Sequence, residues 1–415
     1  MNIFKTTFLV IAAAGFTLST SYSMAESGVV TNSDQWSNES AGIPQVLQNY
    51  DPSHQIRFRT PAEADAKRQE LISFIWSTGL PTNTLPVATT NIGAEVFSKD
   101  LKDLNSELVA SVDLLDANVS GLDFHSITYL IHPHIRNANT SRLVIAHQGH
   151  QGGLGDGVGD VINRLLQSGF TVLAMQMPMV GWNKWRTITL PDGGGTVTIT
   201  NKGATAGHTA LFNKLTPILT NGGCFRFFLE PVVQGINYFL STTPQASDVS
   251  MVGLSGGGWT THMASAVDAR IKHSYPVAGA YPAYILQFLR PGSPDTEQTY
   301  PPLFLEIARY NTNGIPDTAA AVASKLEIFA MGGYGQGRQQ IQILNLYDSC
   351  CFYGSYFTSY TNFVSTVVRN LGLGEWACYS DTTHKHHLIS SNVCDNIILP
   401  TLTSTRRILN KKSGK

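Results

Sequence analysis

Apolar runs and polar turns alternate along the chain in a pattern that predicts strands and helices in turn. The predicted strands are short runs rich in aliphatic and β-branched residues, at 108–114, 125–132, 142–146, 169–175, 248–254, 271–277, 340–347 and 375–379. The predicted helices carry apolar side chains at helical spacing, at 158–167, 225–240 and 357–371. Because strands that alternate with helices form a mostly parallel sheet covered on both faces, the pattern predicts an α/β fold.

The strand predicted at 248–254 leads into the motif Gly253-x-Ser255-x-Gly257, and a segment able to form a helix follows. This is the layout of a nucleophile elbow, in which a serine occupies a sharp strand-to-helix turn. The glycines have a physical purpose, because the residues two before and two after the serine pass too close for a Cβ. The alternative is a Gly-rich turn with an incidental serine. The strand before and the helix after favour the elbow.

Two further segments flank and interrupt the α/β pattern. Residues 26–106 are predicted to form an N-terminal extension packed on the core, with a helix that begins at Thr60-Pro61. The main domain is predicted over 107–415. It contains an insertion at about 180–224, with a β-hairpin at 187–200, and a Pro- and Tyr-rich, lid-like segment at about 280–325.

The first 25 residues predict a signal peptide. Lys5 supplies the positive start, residues 8–18 form an apolar run, and Ser23-Met24-Ala25 places cleavage after Ala25. The apolar run is too short to span a bilayer, and no other run is long and apolar enough. The sequence therefore predicts an exported protein, periplasmic or extracellular, without a stable membrane anchor.

The composition is that of a lightly charged globular protein, with 42% hydrophobic and 14% charged residues among 415. A formal net charge of -1 provides no basic surface for a polyanion, so nucleic acid is not expected as a partner. The oligomeric state stays open at this stage.

Export permits disulfides, and the chain has five cysteines, so at least one is unpaired within the chain. The adjacent residues Cys350 and Cys351 are not expected to bond to each other. Two pairings are open: Cys378 with Cys394, which flank a histidine-rich loop, or Cys378 with one of the adjacent cysteines.

From about residue 108 to 410, the order of motifs resembles the α/β-hydrolase superfamily: an oxyanion-type loop, the elbow, an acid after a strand, and a histidine before the last helix. The elbow Gly-Leu-Ser-Gly-Gly-Gly-Trp, the extension and the signal peptide are most similar to dienelactone-hydrolase-like and acetylxylan-esterase-like enzymes. The chain departs from the family pattern where the oxyanion loop reads His-Gln-Gly-His and where the hairpin at 187–200 is extra. The resemblance implies an α/β-hydrolase fold.

The resemblance also implies roles for a nucleophile, an acid and a base. Ser255 is the expected nucleophile, and it needs a neighbouring base because its hydroxyl is too weakly acidic to attack unaided. Asp348 directly follows a predicted buried strand, and it is expected to hold the tautomer of the base. Asp381 is the rival acid, although it lies close in sequence to the histidines.

The base is expected in the loop before the last helix, which contains His384, His386 and His387. His387 is nearest to the start of that helix, which Ser390 or Ser391 can cap. We therefore expect His387 to be the base, with His384 and then His386 as the alternatives.

The tetrahedral intermediate needs two N–H donors for its oxyanion. The elbow geometry assigns one to Gly256, and the loop after the third predicted strand is expected to supply the other, at His150 or Gln151. Only the backbone of His150 is given a role. The side chains of His147 and His150 are expected to tie down a tight loop.

Other functional classes are open. The histidines at 384, 386 and 387, together with His147 and His150, raise the possibility of a metallohydrolase, but no HExxH motif accompanies them. A peptidase of prolyl-oligopeptidase type also suits the elbow, although a propeller domain is absent from this sequence. A catalytically inactive binding protein is disfavoured because all three triad residue types are present. The prediction is a serine hydrolase without metal or cofactor that forms an acyl-enzyme with a small-molecule or glycan-linked carboxylic ester.

Overall fold

The predicted alternation of strands and helices is present in a computed structural model, which describes residues 47, 49–219, 221–289, 295–304 and 321–403. The signal peptide predicted at 1–25, and the parts of the lid-like segment at 290–294 and 305–320, lie outside the described residues. Residues 41–415 belong to one compact unit. No helix among the described residues has the length and apolarity needed to cross a membrane.

Within the described residues, nine strands form the central sheet, in the order β1-β2-β3-β5-β4-β8-β9-β10-β11, and two form a separate hairpin. The strands are β1 (Val87–Thr89), β2 (Val109–Asn118), β3 (His125–Pro133), β4 (Leu143–Gln148), β5 (Thr171–Gln176), β6 (Thr187–Thr189), β7 (Thr196–Thr198), β8 (Val249–Leu254), β9 (Ile271–Val277), β10 (Gln339–Asn345) and β11 (Glu375–Asp381). The six strands from β5 to β11 across the sheet are parallel, and β1, β2 and β3 extend it in antiparallel fashion. The prediction of a mostly parallel α/β sheet is confirmed, and the hairpin predicted at 187–200 is the pair β6 and β7.

The helices of the described residues are α1 (Pro61–Ile75), α2 (Glu95–Ser98), α3 (Val158–Gln167), α4 (Ala204–Leu215), α5 (Arg226–Thr242), α6 (Gly256–Val267), α7 (Ala283–Leu289), α8 (Thr296–Thr299), α9 (Lys325–Gly333), α10 (Thr361–Asn370), α11 (Ser391–Val393) and α12 (Leu399–Thr403). A π-helical segment, Cys394–Ile398, joins the last two. Helix α3 packs against β4 and β5, and α6 packs against β8 and β9. Every residue of β4, β5 and β8 is buried. The core therefore surrounds β8, which leads into the elbow, and β4, which leads into the predicted oxyanion loop.

Helix α9 was not predicted, and it begins where the lid-like segment predicted at about 280–325 ends. All nine of its residues are buried, so its apolar positions form no one-sided stripe that periodicity would detect. Its beginning does carry a local signal. The Ser324 hydroxyl accepts from Glu327 N, and the Glu327 carboxylate accepts from Ser324 N, which is a complete capping box.

Helix α1 in the N-terminal extension begins as predicted. Thr60 caps it in a capping box with Glu63, and Pro61 occupies its first turn. Its buried Arg68 donates hydrogen bonds to the carbonyl oxygens of Ala266 at 2.9 Å and Met331 at 3.0 Å. These contacts hold α1 at the carboxyl ends of α6 and α9. The boundary of the extension at 26–106 stays a prediction.

The predicted cysteine pairing is wrong. Cys350 and Cys351 form a disulfide with each other, whereas Cys224, Cys378 and Cys394 are free. The backbone N–H groups of Cys350 and Cys351 both donate to Asp348 Oδ1, at 2.7 and 3.2 Å. The chain therefore bends around the Asp348 carboxylate. In an extended strand the side chains of Cys350 and Cys351 would point to opposite sides, and the bend removes that obstacle to a bond between them.

The two free cysteines of the expected bridge face different helices. Cys378 lies against Thr361 of α10, and burial raises the pKa of its thiol. Cys394 lies near Arg164 of α3, and burial raises the pKa of its thiol to about 12. Because the two thiols pack on different elements, a bridge between Cys378 and Cys394 does not form.

Candidate active site

Ser255 occupies the turn between β8 and α6 in a conformation that L-residues rarely adopt, with φ 57° and ψ -121°. Its N–H donates to the carbonyl oxygen of Val277, at 2.9 Å, which fixes the turn against the end of β9. A Cβ on Gly253 would overlap the Gly257 carbonyl, and a Cβ on Gly257 would overlap the His147 carbonyl. The two glycines are thus required by close backbone contact, as the sequence predicted for a nucleophile elbow.

The loop after β4 packs directly on this serine. A Cβ on Gly149 would lie 2.7 Å from Ser255 Cβ and 2.9 Å from Gly256 N. The predicted oxyanion donor His150 follows Gly149. The predicted donor Gly256 is the first residue of α6, where the backbone N–H has no acceptor within the helix. The two expected donors therefore lie in segments that touch beside the serine, and their oxyanion role stays a prediction.

The side chain of His147, expected to be structural, is almost fully buried. Its Nδ1–H donates to the carbonyl oxygen of Gln148, at 2.8 Å. Burial lowers the pKa of His147 to about 4, since a charged imidazolium would lose its hydration there. The ring is therefore neutral at ordinary pH.

Asp348 and His387, the predicted acid and base, lie in contact. His387 Nδ1 is 2.7 Å from Asp348 Oδ2, and Asp348 is fully buried. Because the carboxylate accepts a proton from Nδ1, His387 Nε2 carries the lone pair that a general base needs. This Nε2 atom is buried and has no hydrogen-bond partner among the described residues.

The rival acid and base form a second pair in the same loop. His384 Nε2 lies 3.2 Å from Asp381 Oδ2, and His384 Nδ1 accepts from His386 N at 3.1 Å. Both ring nitrogens of His384 thus face groups of its own loop. The Asp381 carboxylate also accepts from Thr383 N at 3.0 Å and from the Ser390 hydroxyl, and although burial opposes it, hydrogen bonding from His384, Ser390 and Thr383 holds the Asp381 pKa below its ordinary value. This pair organises the loop, whereas the His386 side chain is exposed.

The histidine loop is joined to the last helix and to the loop after β4. Ser390 caps α11, as its hydroxyl accepts from Val393 N at 3.0 Å, so one of the two caps expected for this helix is present. Ile389 N donates to the carbonyl oxygen of Asp156 at 3.0 Å. A Cβ on Gly157 would overlap the Ile389 carbonyl. The loop that carries His387 is therefore fixed to the loop that carries His150.

A third group of polar side chains at this edge of the sheet was not predicted from the sequence. His150 Nε2 lies 2.8 Å from Glu297 Oε1, and His208 Nδ1 lies 3.4 Å from the same oxygen. A Cβ on Gly256 would lie 2.8 Å from the His150 ring, so the group adjoins the start of α6. Although burial alone would raise the pKa of Glu297, its electrostatic interaction with His208 and its hydrogen bond with His150 hold that pKa well below its ordinary value. The three residues are far apart in sequence, and no local motif links them.

The histidine cluster expected for a metallohydrolase does not assemble. Among the described residues, two sets of three metal-ligand side chains come close enough to hold an ion: His150 with His208 and Glu297, and Cys350 with Cys351 and His387. The run of histidines at 384, 386 and 387 forms no such set within this part of the chain. In the second set, the disulfide removes the thiolates that would bind a metal.

Neither a family model nor a curated protein sequence matches the chain. Among solved structures, acetyl xylan esterase 1 from Thermoanaerobacterium sp. JW/SL YS485 is 16% identical, with a TM-score of 0.52 over 86% of this chain and 98% of that one. An acetyl xylan esterase from Paenibacillus sp. R4 is 14% identical, with a TM-score of 0.45 over 84% of this chain and 95% of that one. The similarity to the first structure, together with the sheet order and the elbow, shows that the chain has the α/β-hydrolase fold.

Proposed function

We propose that this protein is a serine hydrolase that cleaves a carboxylic ester through Ser255, His387 and Asp348. The observation that carries the proposal is the positive φ of Ser255 at the junction of β8 and α6. A turn of this kind costs of order 1–3 kcal/mol, and such strain is concentrated at functional sites. The buried pair of Asp348 and His387 adds an oriented base on the same edge of the sheet.

The proposed reaction uses these groups in sequence. His387 Nε2 takes the proton of the Ser255 hydroxyl as Oγ attacks the ester carbonyl carbon, and Asp348 stabilises the resulting imidazolium. The N–H groups of Gly256 and His150 stabilise the oxyanion, aided by the positive end of α6. His387 then returns the proton to the leaving alkoxide, and an acyl-enzyme remains. Water, deprotonated by His387, releases the carboxylic acid and regenerates Ser255.

An ester is the proposed substrate because the solved structure with a TM-score of 0.52 is an acetyl xylan esterase. A small-molecule or glycan-linked ester fits this proposal. The signal peptide predicted at residues 1–25 supports export to the periplasm or the extracellular space. N-terminal sequencing of the exported protein tests this point, and a mature chain that begins at Glu26 is expected.

The nucleophile is tested by Ser255→Ala. A fluorophosphonate probe should label the wild-type protein at Ser255, and the variant should lose labelling and several orders of magnitude of turnover. Full activity in Ser255→Ala would overturn the proposal.

The bond type is tested by p-nitrophenyl esters of rising acyl length beside aminoacyl nitroanilides. Ester cleavage with negligible anilide cleavage is expected. Faster cleavage of the anilides would instead assign the protein to the peptidases.

A further inference from the structure

Three metal-ligating side chains from three separate segments meet beside the proposed active site. His150 belongs to the loop after β4, His208 to helix α4 in the insertion, and Glu297 to helix α8 in the lid-like segment. One ligand atom of each lies within 4.8 Å of the other two. This group is called the His-His-Glu cluster below.

The ring of His208 is oriented as a metal ligand would be. Its Nε2 lies 2.9 Å from the carbonyl oxygen of Pro178, which only a ring N–H can satisfy. In the neutral ring the other nitrogen, Nδ1, carries the lone pair and faces Glu297 Oε1, 3.4 Å away. A lone pair facing a carboxylate is unfavourable unless a cation or a proton lies between them. Histidine ligands of metals typically donate their second ring N–H to such a carbonyl.

Glu297 is a costly residue in this position unless a cation accompanies it. Its side chain is 0% exposed, as is that of His208. Its Oε2 atom is buried without a hydrogen-bond partner among the described residues. A buried carboxylate oxygen without a partner is destabilising, because it has lost its hydration without gaining a hydrogen bond. The Asp295 carboxylate lies 4.0 Å from His150 Nε2 and adds further negative charge.

We propose that His150, His208 and Glu297 bind a divalent transition-metal ion, and that zinc is the ion expected from this set of two imidazoles and one carboxylate. Ligands at about 2.0–2.1 Å from a tetrahedral zinc ion are separated by about 3.3 Å. Two of the separations in the cluster are 2.8 and 3.4 Å, so small side-chain movements complete the site.

The bound ion joins the loop after β4, the insertion and the lid-like segment. Two hydrogen bonds already connect α4 to the lid-like segment nearby, from Thr205 to Asp295 at 3.0 Å and between Thr209 and Thr296 at 2.9 Å. The ion therefore has a structural role: it fixes the backbone of His150 beside Ser255 and stabilises the fold. Metal binding does not depend on the proposed esterase activity.

Metal content is the first test. The full-length mature chain, purified without a histidine tag, is stripped with EDTA, exposed to zinc chloride and desalted. Elemental analysis should then find about one zinc per chain. The melting temperature should rise with zinc and return to its metal-free value with EDTA.

Two variants locate the ion. Glu297→Gln should bind zinc at least about a hundredfold more weakly, and its melting temperature should no longer respond to zinc. His125→Asn is the matched control, since His125 also faces two carboxylates, Asp116 at 2.8 Å and Asp123 at 3.0 Å, and this variant should retain the zinc. Equal zinc retention by Glu297→Gln would overturn the proposal.

A spectroscopic measurement keeps the test decisive if Glu297→Gln does not fold. Cobalt(II) in the wild-type site should give tetrahedral absorption bands without a thiolate charge-transfer band, because no cysteine belongs to the cluster. A thiolate band would place the ion at a free cysteine outside the cluster and contradict the proposal. Wild-type protein that retains no zinc, with an unchanged melting temperature, would show that a proton rather than a metal lies between His208 and Glu297.

Discussion

The substitution Asp348→Asn tests which of two acid–histidine pairs serves catalysis. One pair is Asp348 with His387, and the other is Asp381 with His384. Asp348 Oδ1 accepts two backbone N–H groups, and Oδ2 accepts the proton of His387 Nδ1. In the variant, the amide oxygen retains the two backbone bonds, which turns the amide NH2 toward His387. An amide donor at 2.7 Å from Nδ1 requires the lone pair there, so the ring proton moves to Nε2.

The expected loss follows from this change of tautomer. With a proton on Nε2, His387 no longer accepts the proton of Ser255. The same substitution in a serine protease triad lowers kcat by about 10⁴, which corresponds to about 5 kcal/mol of transition-state stabilisation. KM should change little, because the fully buried side chain of Asp348 offers no surface to a substrate.

The assay measures kcat and KM on one p-nitrophenyl ester, with folding checked by circular dichroism. Asp381→Asn is the matched control, because Asp381 is equally buried and its Oδ2 lies 3.2 Å from a histidine nitrogen, His384 Nε2. This control should retain kcat to within about tenfold and lose stability instead, because Asp381 accepts bonds from Thr383 and Ser390. A folded Asp348→Asn enzyme with near-normal kcat, beside an inactive Asp381→Asn enzyme, would refute the reasoning and assign the acid to Asp381.

Three further predictions concern the catalytic base, the pH dependence of stability and the buried residue Arg338, which directly precedes β10. His387→Ala should lose about a thousandfold or more in kcat while staying folded, whereas His384→Ala should remain active; the reverse order moves the base to His384. Burial lowers the pKa of His147 to about 4 and that of His262 to about 3, so the unfolded chain binds more protons below its histidine pKa of about 6.5. The free energy of unfolding should be at its full value above pH 6.5 and fall between about pH 6.5 and 4, by up to about 1.4 kcal/mol per pH unit for each histidine. Urea denaturation at several pH values measures this, and a free energy of unfolding that does not change over that range would contradict the prediction. Arg338→Met should lower the free energy of unfolding by about 3 kcal/mol or more in urea denaturation, because the Arg338 guanidinium donates to four buried carbonyl oxygens; a change below about 1 kcal/mol would contradict this.

Local sequence determined most elements of this fold. The apolar run of β8, the glycines on either side of Ser255 and the capping box of α1 each act through neighbours in the chain. Helix α3 was predicted with the bounds that the structure has, because its apolar residues face the sheet at helical spacing. Such signals are readable because hydrophobic period, caps and steric demands are confined to a few consecutive residues.

Tertiary structure decided which distant residues meet. The sequence offered two acids and three histidines, and only packing brings Asp348 to His387 and turns His384 back onto its own loop. The Cys350–Cys351 disulfide likewise depends on a bend around the Asp348 carboxylate.

The His-His-Glu cluster depends most completely on the tertiary structure. Its members lie 147 and 89 residues apart along the chain, measured from Glu297 to His150 and to His208. No periodicity or motif connects them, because each belongs to a segment whose local pattern is explained without the others. They come together only when the insertion and the lid-like segment pack over the carboxyl edge of the sheet, where long-range contacts, rather than local preferences, set the chemistry.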